Sequence, residues 1–269
     1  MKVNVTELKT KKAVLKIEDT EPYFVNSIRR IMLSELPKLA VDDVIIYDNT
    51  SALFDEIIAH RLGLVPIPTD LDLLVPRDEC VCKGKGCPNC TVRYTLSKEG
   101  EGPDKKVVVY SGDLQPAEKS WAITEGKIPI VELYNEQRLI LEVEAVLGCG
   151  RDHAKWQPVQ APGYRFIPTI EIDKKRIDEA KDFVKELPEG LVKLKGYKLE
   201  INDIKNMPVL ESYIDKANAD FITIKRDSSK IIFSFETDGS LSTKDALKKS
   251  AKILEEKYAE FGKLLKKIK

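Results

Sequence analysis

Four of the five cysteines in this 269-residue chain crowd into one run, Cys80-Val-Cys82-Lys-Gly-Lys-Gly-Cys87-Pro-Asn-Cys90. Two closely spaced thiolate pairs can surround one tetrahedral ion such as zinc, with sulfur at about 2.3 Å from the metal. Gly84 and Gly86 give the joining backbone freedom to fold back on itself. Four thiolates leave no position open to a substrate, so an ion held here would be structural, keeping a polar, core-poor loop in shape. The same ligands could hold an iron–sulfur cluster, or the loop could stand without metal, whereas disulfides are disfavoured in a cytoplasm. Cys149, between Gly148 and Gly150, reads as a neutral or buried loop thiol.

Elsewhere the chain offers little chemistry. The run Phe54-Asp-Glu-Ile-Ile-Ala-His60-Arg61-Leu-Gly-Leu-Val-Pro-Ile-Pro68 sets a histidine and an arginine beside an apolar stretch closed by two prolines. It holds no nucleophile, no phosphate-cradling loop and no paired carboxylates facing a base, so His60 reads as a structural or surface histidine rather than a general base. Asn26-Ser-Ile-Arg29-Arg30 places two arginines on one helix, where a planar guanidinium can fork a carboxylate or merely solvate the surface. His153-Ala-Lys155-Trp156-Gln-Pro158 offers an indole that serves equally as an interface anchor or as core packing.

The elements that position these residues follow from periodicity. Val3, Val5 and Leu8, then Ala13, Leu15 and Ile17, alternate with polar residues around Lys9–Lys12 and predict a half-buried hairpin. A helix starts near Pro22, carries Phe24, Ile28, Ile31 and Met32 on one face, and stops before Pro37. The C-terminal end repeats the pattern, with a hairpin from 221–225 to 230–235 joined by Arg226–Ser229 and then a long helix capped by Ser242 and Asp245. Along it Leu247, Ala251, Leu254, Tyr258, Phe261, Leu265 and Ile268 follow the four-three rhythm that packs helix against helix. Between the ends, prolines, glycines, short strand-like runs and every cysteine mark an inserted, mostly β domain. A third unit has a helix at 174–186, a Pro188–Gly190 break and a core from Ile172, Ile177, Phe183, Leu187, Leu191 and Leu194.

Basic and acidic residues balance at 44 each, so the electrostatic footprint of a stand-alone nucleic-acid binder is missing. No apolar run approaches the roughly 20 residues that span a bilayer, and the first residues alternate like a strand rather than a signal peptide, which predicts a cytoplasmic protein with no membrane partner.

The three islands at 26–30, 54–68 and 153–158, taken together and in order, resemble the alpha/D family, the subunits that nucleate assembly of cellular RNA polymerases in bacteria (alpha) and archaea (D). The resemblance implies an α+β fold with a split dimerisation domain made of two hairpin-plus-helix ends, at 1–44 and 220–269 with a short return segment near 160–168. It further implies an inserted mostly β domain with the zinc loop at 45–160 and a small ferredoxin-like α+β insertion at 168–219. The implied role is a non-catalytic platform that pairs with subunit L, gathers subunits N and P, and recruits the large subunits that synthesise RNA, with little direct DNA contact. Partner contacts are then expected at Asn26, Arg29, Arg30, His60, Arg61, Lys155 and Trp156, and along Leu247, Leu254, Tyr258, Phe261 and Leu265. Many archaeal members carry an iron–sulfur cluster in the third unit. Residues 165–220 of this chain contain no cysteine, so no cluster is expected there. A free-standing zinc-loop protein binding nucleic acid is the rival, needing a basic face with interleaved aromatics, of which only Tyr94 lies near. A redox enzyme would need a strand–loop–helix around a Cys-x-x-Cys pair.

Overall fold

The computed structural model describes residues 1–268, with residues 103 and 104 described in backbone only. Strands β1 (Lys2–Leu8) and β2 (Lys12–Glu18) form where the alternation predicts. In β2, Ala13, Leu15 and Ile17 are buried, as a period of two requires. In β1, which lies at the sheet edge with β2 as its one neighbour, Val3, Val5 and Leu8 stay exposed instead of half-buried, and none of them joins a core. Helix α1 (Pro22–Ser34) begins on a proline, whose missing N–H costs nothing in a first turn. It buries Val25, Ile28, Ile31 and Met32 and stops where Ser34 Oγ donates to the Arg30 carbonyl at 2.7 Å, just before Pro37.

The middle of the chain is built from β3 (Pro37–Asn49), helix α2 (Asp55–Gly63), β4 (Thr91–Glu99), β5 (Gly102–Tyr110), β6 (Gln115–Pro116), β7 (Pro129–Asn135) and β8 (Arg138–Cys149). Strands β3, β8, β4 and β6 form one antiparallel sheet in that order, and β5 pairs with β7 in a separate ribbon. Strand β3 is in register with β8 from Pro37↔Cys149 to Asn49↔Leu139, with two irregularities that let so long a ribbon bend. Leu139, Leu141, Val143 and Ala145 of β8 face a core shared with Leu39, Ile58, Leu62, Ile67, Leu96 and Leu133. Helix α2 is not legible in the apolar pattern; its acidic start (Asp55, Glu56) and basic end (His60, Arg61) nevertheless suit the helix dipole.

Tyr94 is fully buried in this core and its hydroxyl donates to the Trp121 carbonyl at 2.8 Å. Burial pushes its phenol well above the usual tyrosine range. Because the folded state holds the proton more tightly, its contribution is complete below the ordinary phenol pKa of about 10 and is lost as pH rises beyond it. The part of the tyrosinate absorbance that Tyr94→Phe removes should therefore appear only with alkaline unfolding; its appearance in a still-folded chain would contradict this.

The remaining elements are β9 (Val159–Ile172), α3 (Ile177–Glu186), β10 (Val192–Lys195), β11 (Lys198–Ile201), α4 (Met207–Lys216), β12 (Ile222–Thr237) and α5 (Thr243–Leu265). Strands β1, β2, β12, β9, β11 and β10 are hydrogen-bonded in that order. The expected second hairpin at 221–235 is instead one continuous strand, β12. None of Arg226–Ser229 takes the positive φ of a two-residue hairpin turn, and all four lie inside the strand. Asp227 accepts the Ser229 N–H and hydroxyl locally, while the chain runs on.

The chain divides into two compact units. One comprises Met1–Val5, Leu15–Val25 and Tyr164–Phe233. It contains a core in which Ile172, Phe183, Leu187 and Leu191 are buried with Leu199, Met207 and Leu210, and Ile177 and Leu194 pack against them. The other comprises Thr6–Val14, Asn26–Gly163 and Ser234–Lys269. Within it Lys38 and Asp238 form an ion pair, with side chains only 4% and 7% exposed. Asp238 also accepts from the Ser240 N–H and hydroxyl at 2.9 and 2.6 Å. Removing one partner strands the other charge in the interior, so Asp238→Ala is expected to cost about 3–5 kcal/mol in urea denaturation, and Lys38→Met/Asp238→Leu far less. Equal costs for the single and double variants would overturn this.

Candidate functional site

The loop between α2 and β4 brings the four clustered cysteines together. Backbone bonds from Lys83 N–H to the Cys80 carbonyl and from Lys85 N–H to the Cys82 carbonyl close one turn. Bonds from Cys90 and Thr91 N–H to the Cys87 carbonyl close a second. Gly84 and Gly86 both lie at φ +80°, so the backbone reverses where the glycines stand. Sulfur separations are 3.5 Å for Cys80–Cys87, 3.6 Å for Cys82–Cys90 and 3.9 Å for Cys87–Cys90, and all four sulfurs lie within 4.8 Å of one another. One tetrahedral ion with sulfur at about 2.3 Å sets its ligands about 3.8 Å apart, so the donor set matches a single thiophilic cation. The spacings are too long for disulfides, and all five cysteines are free.

Without an ion the thiols hold protons unequally. Burial pushes the Cys82 thiol up, but hydrogen bonds from Cys80, Cys90, the Gly86 N–H and Cys87 outweigh it and bring it to about 6. A hydrogen bond from the Cys82 backbone pulls Cys80 down, while burial and the neighbouring sulfurs carry it to about 12. A strand, β4, follows Cys90, so the strand–loop–helix of a thiol oxidoreductase is not formed. Cys149 stands apart: its sulfur faces the Glu35 carbonyl at 3.5 Å, and burial together with Asp152 pushes its thiol up.

Arg77 carries no signal in sequence because its partners lie far along the chain. Its Nε donates to the Gly84 carbonyl at 3.1 Å, Nη1 to Asp43 at 3.3 Å and Nη2 to Glu144 at 3.3 Å.

The residues of the three islands are placed as follows. On α1, Arg29 is half-buried and its Nε donates to Asn26 Oδ1 at 3.0 Å, while Arg30 is exposed, so the pair divides between inward and outward as the helix demands. On α2, His60 is exposed and Arg61 donates to the Ile130 carbonyl at 2.6 Å. Lys155 reaches Asp42 at 2.6 Å and lies 4.2 Å from the centre of the Trp156 ring. Trp156 donates its indole N–H to the Val146 carbonyl at 3.1 Å and covers Gly148, where a Cβ would run into the ring. These contacts leave the ring half-buried. Gly148→Ala should therefore cost about 1–3 kcal/mol in thermal unfolding, with quenched or shifted Trp156 fluorescence; an unchanged midpoint would refute the close fit.

Helix α5 starts as expected, with Ser242 accepting the Asp245 N–H at 3.1 Å. Thr243, Ala246, Ser250 and Leu254 form its buried face, Leu247 is half-buried and Ala251 is exposed. Beyond Leu254 the covering ends: Tyr258 and Phe261 are each 58% exposed and Leu265 48%. At Glu35, just beyond α1, Lys257 forms an ion pair at 2.5 Å. The buried face thus lies beside the predicted stripe and shares only Leu254 with it, while the stripe beyond Leu254 faces solvent.

Residues 44–173 match the RNA polymerase Rpb3/RpoA insert domain, and residues 165–258 match the Rpb3/Rpb11 dimerisation domain. Along the full chain, the DNA-directed RNA polymerase subunit Rpo3 of Methanosphaera stadtmanae is 38% identical over 96% of each protein. The chain belongs to the archaeal Rpo3 family of RNA polymerase subunits. The Rpo3 proteins of Methanosarcina acetivorans and Archaeoglobus fulgidus are 35% and 34% identical, over 100% and 99% of this chain and 99% and 98% of their own lengths. Within this Rpo3-type chain the cysteine loop falls in the stretch matching the insert domain, and most of α5 falls in the stretch matching the dimerisation domain.

Proposed function

We propose that this chain is the assembly platform of an archaeal RNA polymerase, pairing with subunit L and, with subunits N and P, recruiting the large subunits that synthesise RNA. It supplies no residue to nucleotidyl transfer. The observation that carries the reading is the outer half of α5, an apolar stripe of Tyr258, Phe261 and Leu265 left in solvent. Exposed aromatic and aliphatic side chains at helical spacing are what a partner helix buries. Asn26, Arg29, Arg30, His60, Arg61 and Lys155 are the polar contacts of the platform to neighbouring subunits. The domain limits we assign are 1–44 with 220–269 for dimerisation, 45–160 for the insert and 168–219 for the third unit.

We assign zinc to the cysteine loop as a structural ion, held by Cys80, Cys82, Cys87 and Cys90, on the strength of its all-sulfur donor set and spacing. Work inside the transcription apparatus makes the cytoplasm its compartment; among the described residues no helix is long and apolar enough to cross a membrane. The nucleic-acid alternative is weakened because Tyr94, the aromatic near the loop in sequence, is buried, and Arg93 is engaged with Glu144 at 2.7 Å. Co-expression with an archaeal subunit L, read by size-exclusion chromatography with light scattering, tests the assignment. A one-to-one complex supports it, and a well-behaved monomer indifferent to L sinks it.

A further inference from the structure

Strands β3, β8 and β4 place Asp43, Glu144 and Arg93 side by side, Asp43 paired with Glu144 and Glu144 with Arg93 in the strand register. Like charges directly opposite each other on neighbouring strands are unfavourable unless a cation joins them. Arg93 takes one oxygen of Glu144, at 2.7 Å; the other oxygen and the Asp43 carboxylate are taken by Arg77, which comes from outside the sheet. The third arm of the same guanidinium holds the Gly84 carbonyl, inside the cysteine loop, and a Cβ at Gly86 would stand 3.1 Å from Nη2.

We propose that Arg77 is the positioning residue that locks the metal loop onto the sheet, through a planar three-way fork that lysine cannot reproduce. An isolated surface ion pair would contribute little, but here one rigid group joins two strands and the turn between the metal ligands. Its partner Glu144 is only 16% exposed, which limits screening of that arm. The inference rests on the metal reading above. Groups behind a ligand shell orient the ligands and set how fast the ion leaves.

The test uses the full chain loaded with zinc(II), comparing the natural protein with Arg77→Ala and Arg77→Lys. Two readouts are taken: zinc transfer to a competing chelator, and amide exchange of residues 83–86 against those of β8. Arg77→Ala should still bind one zinc but release it about ten-fold faster or more. Protection should fall at 83–86 and hold in β8, and Arg77→Lys should not restore either. Unchanged release and exchange, full rescue by lysine, or protection lost evenly across the sheet would each overturn the proposal. Should Arg77→Ala fail to fold, Asp43→Asn at an exposed carboxylate replaces it, with a smaller change in the same direction expected and no change counting against. If the natural protein takes up no zinc, the metal assignment fails by itself, and the exchange comparison alone decides whether Arg77 holds the loop.

Discussion

Tyr258→Asp/Phe261→Asp is expected to abolish the complex with subunit L while leaving the chain as stable as before. Both rings are more than half exposed, so the folded monomer loses almost no packing, and surface changes of this kind stay within about 0.5 kcal/mol. In a complex the same rings would be buried, and placing a carboxylate there carries both the lost contact and an unpaired charge. Two central anchors at about 2 kcal/mol each amount to nearly a thousand-fold in affinity. Light scattering would then report monomer at concentrations where the natural pair runs as one-to-one complex, with the urea midpoint of the isolated chain unmoved. Leu254 is unsuited to this experiment. It is buried in its own chain, so an aspartate there would unfold the helix and mimic a lost interface. A one-to-one complex that survives the Tyr258/Phe261 change would place the L contact elsewhere.

Cys90→Ser should empty the metal site and unravel the loop without dissolving the sheets around it. Cys90 is fully buried, its sulfur accepts the Cys87 N–H at 3.4 Å, and it stands 3.6 Å from Cys82 and 3.9 Å from Cys87. A hydroxyl in that place is a poor ligand for a soft cation, and structural zinc in small folds supplies about 10–16 kcal/mol that a polar loop cannot replace. Metal analysis should fall from one equivalent to none, and proteolysis should cut between 78 and 90. Acid should act in the same direction. Metal binding requires deprotonated sulfur, so falling pH should release the ion as protons compete for the four thiolates. A Cys90→Ser protein that keeps one tightly held metal and an intact loop would refute the four-thiolate site.

How much of the protein is legible in its residues depends on sequence distance. The cysteine cluster, the start of α1 and the Ser242 cap are written in neighbouring residues, and they form where expected. Helix α2 escapes a sequence reading because its nine residues carry only a weak apolar face; they are held helical by Ile58 and Leu62 entering the same core as Leu39 and Leu96. The reversal expected at Arg226–Ser229 rests on turn-forming residue types, and pairing of β12 with β2 and β9 overrides it. The contacts of Arg77 with Asp43 and Glu144, 34 and 67 positions away, exist only once β3 and β8 pair.

By itself the sequence determined the cysteine loop and the helical character of the C-terminus, because cysteine spacing, capping and apolar rhythm are properties of residues within a few turns of one another. Tertiary structure decided how little of the α5 stripe is covered, that the Trp156 ring lies over Gly148, and what Arg77 grips. Burial is fixed by whatever the folded chain brings alongside, so an apolar rhythm shows that a face will be buried and leaves its partner, this chain or another, to the fold.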